Sequence, residues 1–158
     1  RMSINMETLS VEDEIDAAVA TLMPVANKKN LNLMVEKESV GMIQADPTRI
    51  RQIFDNIIGN AIKYTPEGDV VVRLYQENNR QFIRVVDTGI GMSEEERKHL
   101  FQKFYRIRNS DTENIIGTGL GLWITKQIIE KMGGQITVES IKGVGSHFIL
   151  AFPLVEDK

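Results

Sequence analysis

Val70-Val71-Val72-Arg73-Leu74-Tyr75 and Phe82-Ile83-Arg84-Val85-Val86, with Asn78-Asn79 between them, decide the fold class. Both runs are rich in β-branched and aromatic residues, which suit a half-buried pleated surface. Asparagine tolerates the left-handed backbone of a tight turn, so the whole reads as one hairpin. A second pair, 135–140 and 147–152, surrounds a glycine turn near the other end of the chain. Strands that come in adjacent pairs argue against a doubly wound parallel sheet, in which single strands alternate with helices.

Working outward, Asp46-Pro47 supplies an N-cap followed by the proline favoured at the first helical position, and Ile50, Ile53, Phe54, Ile57 and Ala61 form a broad apolar stripe behind it. Ser10 caps an earlier helix with Ile15, Val19, Leu22 and Met23 at helical spacing, ending near Lys28-Lys29-Asn30. Two short alternating runs, 31–35 and 41–45, flank a polar turn and predict a further hairpin. Ser93 with Glu96 is a capping box, and 119–132 is a helix closed by Gly133-Gly134. The polar, unpatterned stretch 107–116 predicts a lid. Residues 1–9 read as a linker and 10–158 as one domain. This order predicts an α/β (α+β) two-layer sandwich, a mixed and mainly antiparallel sheet covered on one face by helices.

The chain has 158 residues, enough to bury a core, and 42% hydrophobic with 26% charged residues places it among ordinary globular domains. A net charge of −3 gives no basic footprint, which disfavours nucleic acid as a partner. With no cysteine, disulfides and thiolate metal sites are excluded. No run approaches the roughly 20 apolar residues of a membrane span, so no direct membrane contact and a cytoplasmic setting are expected. The first residues, Arg1-Met2, suggest a piece of a longer protein.

Asn56, Asn60 and Lys63 are spaced by four and three residues and share one stripe beside the apolar face of their helix. A carboxamide oxygen is a hard neutral ligand suited to Mg²⁺, and a nearby lysine can offset phosphate charge; an amphipathic helix can equally present such residues to water alone. Asp87 closes a strand and is followed by Gly89 and Gly91, which let the backbone turn tightly and approach a ligand. Gly117-Thr118-Gly119-Leu120-Gly121-Leu122 opens a helix, whose free amides and positive end can hold phosphates; it lacks the Lys-Ser/Thr ending of a P-loop. Arg106, after Phe101, Phe104 and Tyr105, can reach a terminal phosphate or sit as a surface charge over a packed core. His99 and His147 lack metal-ligand spacing or an orienting carboxylate in the sequence and read as structural or solvated.

Taken jointly, these motifs resemble those of bacterial sensor histidine kinases. Asp55-Asn56-Ile57-Ile58-Gly59-Asn60-Ala61-Ile62-Lys63-Tyr64 is similar to the N box, and Asp87-Thr88-Gly89-Ile90-Gly91-Met92 to the first glycine box. Phe101-Gln102-Lys103-Phe104-Tyr105-Arg106 resembles the F box, residues 117–122 the second glycine box, and Gly143-Val144-Gly145-Ser146 the last. Five motifs in order, over about residues 10–154, make chance similarity remote. Trp123 departs from the small residue that commonly follows the second glycine box.

The resemblance implies a Bergerat-type catalytic and ATP-binding domain. Asn60 would coordinate Mg²⁺, supported by Asn56, with Lys63 near the phosphates and Tyr64 against the nucleoside. Asp87 would bind the adenine amine, Gly89 and Gly91 would shape the loop beneath the base, and Ser146 would assist through water. Gly117, Thr118, Gly119, Leu120, Gly121 and Leu122 would form the phosphate loop, and Arg106 would neutralise charge at the γ-phosphoryl. Hydrolysing relatives carry a glutamate one turn before the metal asparagine; here that position is Asn56, which accepts no proton at neutral pH, so slow water attack is expected. Implied partners are an upstream dimerisation domain bearing the phosphoacceptor histidine and a response regulator. The chain is expected to be monomeric and its parent a membrane-anchored homodimer. An anti-sigma-factor kinase and a non-catalytic nucleotide sensor are the rival readings.

Overall fold

The computed structural model describes residues 3–103, 105 and 121–156. Phe104, Arg106, Gly117, Thr118, Gly119, Leu120 and the expected lid at 107–116 lie outside the described residues.

The deciding hairpin forms as β4 (Asp69–Glu77) and β5 (Arg80–Asp87), antiparallel, with Val72 opposite Val85 and Glu77 opposite Arg80. Asn78 and Asn79 both take positive φ, 50° and 62°, the pattern of a two-residue turn matched to the strand twist. β6 (Gln135–Ile141) and β7 (Gly145–Pro153) form the second hairpin, and β7 also pairs with β5. The sheet order is β2-β4-β5-β7-β6, with β2 (Asn32–Lys37) parallel to β4, so the sheet is mixed and mainly antiparallel as expected.

Local signals hold where capping chemistry defines them. Ser10 accepts from the Asp13 amide at the start of α1 (Val11–Lys28). Asp46 accepts from the Thr48 and Arg49 amides at the start of α2 (Pro47–Lys63), and also from the Asn5 amide at 2.8 Å, so its carboxyl is held below the ordinary carboxylate range, chiefly by these donors. Ser93 and Glu96 close the reciprocal capping box of α3 (Glu94–Lys98). The last helix is described from Gly121 as α4 (Gly121–Lys131).

The hairpin expected from 31–45 does not form. β2 hydrogen-bonds to β4, while β3 (Met42–Ala45) pairs antiparallel with β1 (Glu7–Ser10) in a separate two-stranded sheet. The intervening chain is drawn elsewhere: the Glu38 and Ser39 amides donate to Leu74 O, and the Gly41 amide to Gln81 Oε1. Alternation specifies that a strand has two faces, not which strand it joins. Residues 7–9, read as linker, are part of β1.

The helices cover one sheet face only. Val70, Val72 and Leu74 are fully buried, while Val71 and Tyr75 are half-buried and Arg73 is exposed on the other face. α2 lies centrally, packed against α1, α4, β4 and β5, and buries Ile50, Ile53, Phe54, Ile57, Ile58, Ala61 and Ile62.

Candidate nucleotide site

Period-two alternation buries Gln81, Ile83, Val85 and Asp87 along β5, so the last residue of the strand sets an acid on the phase otherwise used for core packing. Asp87 is 5% exposed, and burial pushes its carboxyl up to about 6, although the Gly89 and Ser146 amides favour the charged form. Both amides donate to Oδ1, at 2.9 and 3.2 Å. Among the described residues Oδ2 makes no hydrogen bond.

The loop after Asp87 is anchored to the end of α2. The Ile90 amide donates to Tyr64 O at 3.1 Å, and a Cβ at Gly89 would lie 2.3 Å from Tyr64 O and 2.9 Å from Asp87 Oδ1. Gly91 has φ +65°, and a Cβ there would lie 2.1 Å from Ile141 O on the β6–β7 turn. That packing demands glycine irrespective of any ligand. Gly91→Ala should therefore cost on the order of 2 kcal/mol or more, read as a lower urea midpoint; an unchanged midpoint would mean the loop does not pack on the turn.

Further back along α2, Asn56 donates through Nδ2 to Thr125 Oγ1 at 2.5 Å, and Thr125 donates to Gly121 O at 2.6 Å. A Cβ on Gly121 would lie 3.2 Å from Asn56 Oδ1. Asn56 thus holds the first turn of α4 against α2, and a groove of about 360 Å³ between these helices opens on Asn56, Gly121 and Thr125. Asn60 and Lys63 follow Asn56 on the same stripe, both more open to solvent than the apolar face, and among the described residues the Asn60 carboxamide makes no hydrogen bond. From Asn56 to Tyr64 the axis advances about 12 Å. One helix therefore carries the clamp on α4 at one position and the anchor of the Asp87 loop at another. Lys63 Nζ lies 5.9 Å from the Tyr64 ring centroid, and Leu122 packs against the core.

Two residues outside the predicted set complete the arrangement. Lys29 Nζ donates to Ile62 O at 2.7 Å and to Lys63 O at 3.3 Å, capping α2 where Tyr64 turns away. Thr125 joins α2 to α4. A threonine one helical turn after a glycine-rich helix start was the available signal, because its hydroxyl reaches the carbonyl four residues back. The structure also gives His99 the carboxylate that the sequence reading denied it: Nε2 lies 3.1 Å from Glu95 Oε1, in an exposed pair. His147 sits on the open sheet face with Nδ1 2.9 Å from Arg84 Nη1, and burial followed by the Arg84 charge lowers its pKa. Trp123 is half-buried with Lys103 Nζ 4.9 Å from its ring centroid, so the large residue is accommodated at the helix start.

Among the described residues no helix is long and apolar enough to cross a membrane, and no cluster of three or more His, Cys, Asp or Glu offers a metal site. Among the described residues the candidate site comprises the buried carboxylate of Asp87 and the Asn60 carboxamide, which makes no hydrogen bond. Comparison with known proteins gives the family. Residues 45–156 match the family described as histidine kinase-, DNA gyrase B-, and HSP90-like ATPases, and the chain belongs to that family. It is 42% identical over 137 residues to the circadian input-output histidine kinase CikA of Synechococcus elongatus, covering 84% of this chain but 18% of that protein. The full-length ShkA structure in complex with AMPPNP superposes with a TM-score of 0.86 at 28% identity, over 99% of this chain and 32% of that one. Histidine kinase ThkA in complex with response regulator protein TrrA gives 0.79 at 25% identity, over 96% and 42%. The fold is that of histidine kinase catalytic domains, and the chain spans less than a fifth of the curated relative it matches.

Proposed function

We propose that this chain is the ATP-binding catalytic domain of a two-component sensor histidine kinase, passing the γ-phosphoryl of ATP to a histidine on a separate upstream dimerisation domain. The observation that carries the reading is the buried Asp87 on the core phase of β5, with Oδ1 held by two backbone amides. Its Oδ2 accepts from the adenine amine, and Tyr64 flanks the nucleoside. Asn60, whose carboxamide makes no hydrogen bond among the described residues, would hold Mg²⁺ through its oxygen, with Lys63 beside the phosphates. The metal supplies charge neutralisation at the phosphate oxygens. Asn56 positions Gly121 through Thr125; the phosphate loop is assigned to Gly117 to Leu122 and charge neutralisation at the γ-phosphoryl to Arg106 on the motif resemblance alone.

The chain's work is positioning and charge stabilisation. An imidazole nitrogen of the acceptor domain attacks the γ-phosphorus, the bond to the bridging oxygen breaks, and ADP leaves. The family match and the AMPPNP complex of the ShkA relative support ATP, and the ThkA complex supports a response regulator as the onward acceptor. Magnesium, a homodimeric, membrane-anchored parent and a cytoplasmic site belong to the same reading. Neither histidine is read as the acceptor, because neither is followed by an acidic residue: Leu100 follows His99 and Phe148 follows His147.

With γ-labelled ATP and Mg²⁺, the chain alone should remain unlabelled and should release phosphate slowly, and adding the upstream histidine domain should place label on that domain. Labelling of the chain alone, or rapid phosphate release, would contradict the assignment.

A further inference from the structure

Asp87, Ser146 and Ser140 form a row across three adjacent strands: Asp87 is the register partner of Ser146 between β5 and β7, and Ser140 is the partner of Ser146 between β6 and β7. Side chains in one row of a sheet share a face, so Ser140 stands behind Ser146 as seen from the carboxylate. Ser140 Oγ makes three polar contacts: the Met92 amide at 2.8 Å, Gly145 O at 3.0 Å and Ser146 Oγ at 2.8 Å. The hydroxyl has one proton. A carbonyl only accepts and an amide N–H only donates, so one arrangement makes hydrogen bonds of all three. Ser140 donates to Gly145 O and accepts from Met92 and from Ser146. The Ser146 proton therefore points away from Asp87, and Ser146 Oγ turns only lone pairs toward it.

We infer that Ser140 is a positioning residue that fixes the hydrogen-bond polarity of Ser146, making the purine end of the site an all-acceptor surface that favours a 6-amino over a 6-oxo purine nucleotide. This rests on the adenine site proposed above. With Asp87 Oδ2 and Ser146 Oγ both presenting lone pairs, an amine donates to the carboxylate, whereas a carbonyl oxygen at that place meets acceptors. Removing the Ser140 hydroxyl frees the Ser146 proton to rotate and donate to such a carbonyl. The same removal strands the Met92 amide and Gly145 carbonyl, so some loss of stability accompanies it.

The test is calorimetric titration of the chain with Mg-ATP and with Mg-ITP, which replaces the 6-amino group by a 6-oxo group with a proton on N1 and adds no 2-amino group. The parent chain should prefer ATP. In Ser140→Ala the ATP-to-ITP affinity ratio should fall by about fivefold to tenfold, the worth of one hydrogen bond, and Ser140→Thr, which keeps a hydroxyl, should restore it. Ser146→Ala leaves the contacts of Ser140 to Met92 and Gly145 in place and should also narrow the ratio, so the inference stays testable if Ser140→Ala fails to fold. An unchanged ratio in Ser146→Ala, or equal weakening of both nucleotides in a folded Ser140→Ala, overturns it. A parent chain that binds neither nucleotide, or both alike, instead defeats the adenine site itself.

Discussion

Asp87→Asn should melt at a higher temperature than the parent chain while losing ATP. In the folded chain the carboxyl titrates at about 6 instead of the ordinary 3.8, with burial the leading cause, so at neutral pH the folded state carries an ionised group it disfavours. That difference corresponds to roughly 3 kcal/mol. Asparagine keeps an Oδ1 that accepts from the Gly89 and Ser146 amides, and it carries no charge to desolvate. Allowing for burial of its own amide, a gain of about 2 kcal/mol, or ~5 °C, is expected.

The sign with pH follows from the raised value. The folded chain binds this proton more tightly than the unfolded one, so the parent gains stability from the group as pH falls from about 6 towards 3.8, and the advantage of the variant shrinks over that window. Nucleotide binding runs the other way, because protonation below about 6 removes the carboxylate that accepts from the purine amine. Melting curves of both chains between pH 4 and 8, alongside ATP titration, would check each limb. A variant that is less stable at pH 7, or one that still binds ATP as the parent does, would show that Asp87 serves the fold and not the ligand.

Asn60→Ala should give the opposite pairing of effects, an intact fold with transfer to a supplied histidine domain reduced at least ~100-fold. The carboxamide makes no hydrogen bond among the described residues, and the side chain lies outside the buried stripe of α2, so no described hydrogen bond or core contact is lost. Alanine is the better helix former by a few tenths of a kcal/mol, which moves stability slightly upward. What is lost is an oxygen ligand for the cation that screens the triphosphate. Urea denaturation and labelled transfer measured on the same preparation separate the two. Transfer within tenfold of the parent would remove Asn60 from the metal site.

What could be read from the sequence was what is decided locally. The three caps at Ser10, Asp46 and Ser93 with Glu96 depend on donors two or three residues away, and the asparagine turn and strand alternation fixed β4, β5 and the buried phase on which Asp87 falls. Partnerships over long separations were not legible. Nothing in 32–37 says that its neighbour is 69–74 beyond an intervening helix, and nothing in 42–45 names 7–10. The site divides in the same way. Asn56, Asn60, Lys63 and Asp87 stand out by residue type and spacing, whereas the α2 partner of Thr125 and the Met92 partner of Ser140 lie 69 and 48 residues away.

The central helix, which grips α4 at Asn56 and the Asp87 loop at Tyr64, works as a ruler whose marks cannot be moved separately. Inserting one residue between those marks would turn everything beyond it by about 100° and advance it about 1.5 Å, swinging Lys63 off the stripe that holds Asn56 and Tyr64 away from the Asp87 loop. Changes of chain length belong in the connections between elements, and this stretch of nine residues admits substitution but not a change of register.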